Sequence, residues 1–150
     1  MRFVLGWIFI MVMAGTAMAG EPGLIRKEAS GGVAETVDAL VSTMEGAGIT
    51  IFARVNHGAG AKSIGEDIGD SQLLVFGNPK VGTPAIKDDP LAGLFLPLKV
   101  LVFEDGTGKT MIAYEDPKSM LGDLGGVSKD AAYLNVMTGA LAKFTDSVAK

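Results

Sequence analysis

The stretch "VLVFEDGTGKTMIAY", Val100 to Tyr114, sets two apolar runs on either side of a turn. Aspartate and glycine clustered at Glu104–Lys109, between Val100–Phe103 and Thr110–Tyr114, mark a hairpin. A hairpin makes at least part of a sheet antiparallel. The same residues contain "GTGKT", which resembles the end of a phosphate-binding loop. The first glycine of such a loop would fall at Phe103, and strand-like "MIAY" follows where a helix is needed. The turn reading therefore prevails.

Working outward, Leu73–Phe76 and Val100–Phe103 are short unbroken apolar runs, the pattern of central strands buried on both faces. Ile49 to Asn56 alternates Ile49, Ile51, Ala53 and Val55 with Thr50, Phe52, Arg54 and Asn56, a strand with two different faces. Leu24–Ala29 is a short edge-strand candidate. Val33, Val37, Leu40, Val41 and Met44 fall at helical spacing, with Glu35, Asp38 and Glu45 on the other faces. Gly46 and Gly48 can end that helix. Leu134, Met137, Leu141, Phe144 and Val148 define a second, longer helix, with Ser128 as a cap and Asp130 in its first turn. The order is strand, helix, strand, strand, hairpin, helix. It predicts an α+β two-layer sandwich: a mostly antiparallel sheet with two main helices on one face.

"LLVFGNPKVGTP", Leu73–Pro84, has glycines at phosphate-loop spacing, but Thr83 and Pro84 stand where Lys and Ser/Thr are required. Pro79 removes a backbone donor, and the residue before a proline is pushed to an extended conformation. The segment reads as a strand turning sharply outward into a loop that shapes a cleft wall. His57, the sole histidine, follows a strand and opens the small-residue loop "HGAGA". Two readings stand for it: a hydrogen-bonded structural group, or a proton-exchanging one. Without Cys, one His does not make a common zinc site, so no metal site is assigned. No Gly-x-Ser-x-Gly elbow is present. Asp88-Asp89-Pro90 favours a turn over paired acid–base carboxylates. Tyr114 ends a strand and either faces a cleft or caps a core edge. Met44 and Met137 fit core gaps.

The quoted strings "FARVNHGAGAKSIG", "QLLVFGNPKVGTPAI", "DPLAGLFLPLKVLVFEDGTGK" and "AYEDP" follow one another at tight spacing. Together they resemble the bacterial and archaeal family called domain of unknown function 302, over Val33 to Lys150. The resemblance implies a TATA-binding-protein-like α+β fold of strand, helix, four strands and helix. It implies small dimer-forming domains, some exported. The family pattern places Asp-His where this chain has Asn56-His57, often an Asn at the position of Glu115, and a further His beyond the Asp-Pro pair. "KSMLGDLGG" contains no His. A scheme with an Asp-oriented histidine, or with two, therefore lacks its parts here.

Length fits one domain of 150 residues. "MRFVLGWIFIMVMAGTAMAG" has an early Arg2, an apolar run from Phe3 to Met13, and Ala17-Met18-Ala19. That is the pattern of a secretory signal peptide over 1–19, cleaved after Ala19. The run is short and broken for a membrane span. A periplasmic or secreted domain at 20–150 is expected, with no stable membrane insertion after cleavage. Removing Arg2 from the 13 basic residues leaves 12 against 17 acidic, a net charge of −5. That balance opposes nucleic acid and anionic lipid surfaces.

These observations predict a binding module for a small ligand or partner. Its wall would be His57, Gly77, Asn78, Pro79, Thr83 and Tyr114. No cofactor is expected. The alternatives are an enzyme with His57 as general acid or base and Glu66 or Tyr114 as partner, and an assembly module dimerising through an exposed strand edge.

Overall fold

The computed structural model describes residues 21–150; the expected signal peptide and its cleavage position lie outside them. Five strands form one antiparallel sheet: β1 (Leu24–Glu28), β2 (Thr50–Asn56), β3 (Ser71–Gly77), β4 (Leu98–Glu104) and β5 (Thr110–Glu115), in spatial order β1-β5-β4-β3-β2. Six helices complete the α+β fold: α1 (Val33–Gly46), α2 (His57–Ser63), α3 (Pro79–Asp88), α4 (Ala92–Phe95), α5 (Pro117–Leu121) and α6 (Ala132–Asp146).

The hairpin joins β4 to β5, with Leu101 opposite Ala113 and Glu104 opposite Thr110. Asp105 shapes its turn: one carboxylate oxygen accepts the Thr107 N–H at 2.8 Å and the Lys109 N–H at 3.0 Å. Gly108 takes a positive φ of 80° there, which glycine adopts without strain. Those donors, the Thr107 hydroxyl foremost, hold the Asp105 carboxyl below its usual range.

α1 buries Val33, Thr36, Val37, Leu40 and Met44 against the sheet and ends where Gly48 takes a φ of 75°. α6 buries Leu134, Met137, Leu141, Phe144 and Thr145. The core lies between these helices and one face of the sheet, where Leu74, Phe76, Val100, Val102, Ile112 and Tyr114 are all buried. The expectation of strands buried on both faces is corrected. Along β3 and β4 every second residue is buried and the residues between are half-exposed. Helices cover only one face, so Leu73, Val75, Leu101 and Phe103 line an uncovered one.

Two local readings are also corrected. The "GNPKVG" segment is not a loop. Asn78 caps α3 by accepting the Lys80 N–H at 3.0 Å, and Pro79 occupies the first turn, where its missing donor costs nothing. "HGAGA" is the start of α2, capped by Asn56, which accepts the Ala59 N–H at 2.8 Å. The Ser128 cap is not formed either. α6 begins at Ala132, and Ser128 closes a turn before it, its carbonyl accepting the Ala131 N–H.

The C-terminal residues fasten the first strand. The Lys150 N–H donates to the Glu28 carbonyl, and the Ser30 N–H to that of Val148. Lys27 Nζ donates to the buried Thr145 hydroxyl at 2.7 Å and to Asp146 at 2.6 Å. It also lies 5.6 Å from the centre of the Tyr114 ring, within cation–π range.

Candidate functional site

β3 runs into α3 through Gly77-Asn78-Pro79, and this junction forms one end of a cleft of about 260 Å³. The floor is the sheet, through Phe76 and Leu98; the walls are α3 and α6. On α3 the stripe Pro79, Gly82, Thr83 and Ile86 faces the cleft, at the spacing that shares one side of a helix. Val81 stands at the border with the core, into which Ala85 is buried. On α6 the wall is Val136, Met137, Ala140 and Phe144.

Small residues keep the space open. A Cβ built on Gly82 would sit 3.6 Å from Leu96 Cδ1, an ordinary contact, so a side chain there has room to grow. Gly77 is packed more closely, with Phe52 Cε2 at 3.3 Å from the same construction. Phe52 sits at the register shift between Ile51 and Ala53, which frees it from regular alternation and leaves it 54% exposed at the lip.

One hydrogen bond ties the two walls together. The Tyr133 hydroxyl, on α6, donates to Asp88, on α3, at 2.9 Å. Burial first, and then that hydrogen bond to a carboxylate, pushes the Tyr133 hydroxyl above its ordinary range. Asp89 turns the other way, accepting the Leu91 N–H at 2.9 Å and the Gly126 N–H at 3.1 Å. The adjacent carboxylates thus diverge into structural bonds.

Four of the six residues expected on one wall share it: Gly77, Asn78, Pro79 and Thr83. His57 and Tyr114 do not, and the convergence drawn from the sequence is corrected. Antiparallel pairing sends the end of β2 away from the end of β3. Asn56, just before His57, pairs with Gln72. Asn78 is six residues further along, about 20 Å at strand rise. His57 and Glu66 are exposed and make no side-chain hydrogen bond or ion pair to any described residue. Tyr114 is 4% exposed. It belongs to the core on β5, two strands from β3, so of its two readings the core edge holds.

The sequence reading missed the α6 wall. Val136, 52% exposed beside the buried Met137, was its signal: an apolar residue one step off the core stripe, next to the small Gly139 and Ala140. Among the described residues no group of three or more His, Asp or Glu side chains could hold a metal ion. None of their helices is long and apolar enough to cross a membrane.

Comparison with known proteins agrees with this architecture. The family profile described as "Domain of unknown function DUF302" matches residues 25–145. A crystal structure of an uncharacterised conserved DUF302 protein from Bacillus stearothermophilus superposes with a TM-score of 0.73 at 21% identity, covering 85% of this chain and 99% of that one. At that identity the likeness is one of fold. Over 120 residues the chain is 37% identical to a protein of Brucella suis named fluoride-specific ion channel FluC 1, covering 79% of this chain and 47% of the relative. A Brucella abortus protein of the same name matches at 37% identity, with 44% of its length covered. The chain thus spans under half the length of these curated relatives.

Proposed function

The chain belongs to the DUF302 family, and we propose that it is a non-catalytic binding module whose site is the cleft between α3 and α6. One observation carries this reading. The cleft is a preformed hollow lined by apolar side chains, with Asn78 and Thr83 as the only polar ones among the described residues. Concave, mostly apolar hollows with few polar groups suit small-molecule binding. A proton-transfer enzyme needs a titratable group within hydrogen-bond reach of its substrate, and among the described residues no Asp, Glu, His, Lys or Arg lines this one. His57 as general acid or base would need a separate site at the far end of β2. Export belongs to the reading through the leader sequence. Channel activity stays with the longer relatives that bear the name.

Native mass spectrometry of the protein purified from its own host tests the proposal. The expected result is a retained small molecule that is lost on Gly82→Leu, with the fold kept. A wild-type mass equal to that of the bare chain, or a bound mass that Gly82→Leu leaves in place, overturns it.

A second reading, homodimerisation, draws on the uncovered sheet face. Leu73, Val75, Leu101, Phe103, Met111 and Ala113 form an apolar patch there. Of the charges beside it, Arg26 pairs with Glu21 at 2.6 Å and Lys99 Nζ donates to the Phe95 carbonyl at 3.0 Å, while the exposed Glu115 has no side-chain partner among the described residues. Contiguous exposed apolar patches mark interaction surfaces. The face, rather than a strand edge, is the surface this reading uses. Sedimentation showing a dimer that Phe103→Glu dissociates supports it; a monomer at high concentration removes it.

A further inference from the structure

The walls of the cleft restrict what enters it, and this step rests on the binding reading above. With no ionisable side chain along the lining among the described residues, a charged group inside would shed its water and gain no opposite charge. The two polar side chains lie along the α3 wall, Asn78 at its start and Thr83 about one turn further on. Asn78 Oδ1 is already occupied by the Lys80 N–H, and Thr83 is exposed to water. The lip is apolar as well: Phe52, Ile86 and Val136 are all exposed.

Size narrows the choice. An engineered cavity of about 150 Å³ holds benzene, which assigns about 25 Å³ to each carbon. The 260 Å³ here then takes about ten carbons. The lining runs from Pro79 to Ile86 on α3 and from Val136 to Phe144 on α6. At helical rise that is a slot about 11 to 12 Å long. Its mean section is about 22 Å², close to one carbon chain in contact at roughly 4.0 to 4.5 Å with its surroundings.

We infer that the cleft takes a single unbranched hydrocarbon tail of about ten carbons, uncharged along its buried length, with its polar end in water beside Asn78. A free amphiphile and a bilayer lipid both present such a tail. The shared chemistry is the proposal, and its test separates the sources.

The test titrates the isotope-labelled protein with hexan-1-ol, octan-1-ol, decan-1-ol and dodecan-1-ol, each below its solubility limit. Binding is followed on the methyl signals of Val81, Ile86, Val136 and Met137. Phosphatidylcholine vesicles and naphthalene are separate arms. The expected result is saturable shifts confined to those methyls. Affinity should rise about fourfold per added methylene and level off near decanol. Ala140→Leu and Gly82→Leu, each checked for a native melting transition, should weaken decanol at least tenfold; Leu101→Ala, on the uncovered face, should not. The same shifts with vesicles assign the tail to a lipid; shifts with alkanols alone assign it to a free amphiphile. Tight naphthalene binding with a flat alkanol series overturns the tail and leaves the binding reading standing. If no probe moves the cleft methyls, the tail is overturned. If host-purified protein also carries no molecule sensitive to Gly82→Leu, the binding reading falls with it.

Discussion

Gly58 and the carbonyl of Gly69 meet with no space between them: a Cβ on Gly58 would lie 2.7 Å from the Gly69 oxygen and 3.3 Å from the Ser71 nitrogen. Both neighbours are backbone, so neither can rotate away. The contact seats the first turn of α2 on the segment leading into β3. Gly58→Ala is expected to cost about 1–3 kcal/mol, the range for overpacking. Gly60→Ala, two residues on with nothing within 4 Å, should be neutral or slightly stabilising. Urea unfolding of the two variants checks the contrast, and equal midpoints would remove the steric account.

Two buried threonines predict opposite outcomes. Thr36 is 2% exposed, and its hydroxyl has no partner among the described residues. Replacing an unsatisfied buried hydroxyl with a methyl removes a desolvation cost, so Thr36→Val should stabilise by about 1 kcal/mol. The Thr145 hydroxyl donates to the Leu141 carbonyl at 2.8 Å and accepts from Lys27. Thr145→Val should destabilise by about 1–2 kcal/mol, because it strips a partner from a charged donor. Calorimetry of both variants gives the signs.

Gly139 lies in the interior of α6, beside the cleft wall, with nothing within 4 Å of a built Cβ. Gly139→Ala changes helix propensity with no new contact. It should raise stability by up to about 1 kcal/mol. A melting temperature below wild type would show that the position is not free.

Acid should loosen the strap between β1 and the C-terminal residues. The Glu28 carboxyl is held below its ordinary value of 4.5, first by a hydrogen bond from Lys150 and further by Lys109, with burial opposing. A carboxylate whose folded pKa is depressed stabilises the fold fully above its unfolded value and loses that stabilisation as pH falls through the folded one. Asp105, held below 3.8, acts in the same direction at the hairpin. Both groups are solvent-facing, so the effect is modest and screened by salt. The melting-temperature gap between wild type and Glu28→Gln should be constant near neutrality and close as pH drops below 4.5. A gap that widens in acid would reverse the assignment.

What the sequence disclosed follows from which forces are periodic. The stripes Val33-Val37-Leu40-Val41-Met44 and Leu134-Met137-Leu141-Phe144-Val148 announce burial: nine of the ten residues are buried, Val41 is half-exposed, and Val148 lies just past the end of α6. The hairpin announces itself through Asp105 and Gly108. The short helices are hidden because their signals also signal turns. Asn78-Pro79 and Asp116-Pro117 each begin a helix, the acceptor capping and the proline filling the first turn, yet each pair reads equally as a bend. Pro84 then sits inside α3 on an exposed flank, where its missing bond is left to solvent. Four of the six residues expected on one wall lie together because Gly77, Asn78, Pro79 and Thr83 are local to one junction. His57 was separated from them by register, which no stretch of sequence carries by itself.

The position of β1 has a consequence for how the protein is made. Its partner is β5, with Leu24 opposite Glu115, so the first of the described strands to leave the ribosome pairs only after most of the chain has followed. Until then its apolar and charged face has no neighbour, and the β2-β3-β4 unit must collapse without it. Pairings this distant along the chain slow assembly and prolong exposure of unpaired edges. A newly synthesised chain halted before residue 110 would carry a strand with nowhere to go.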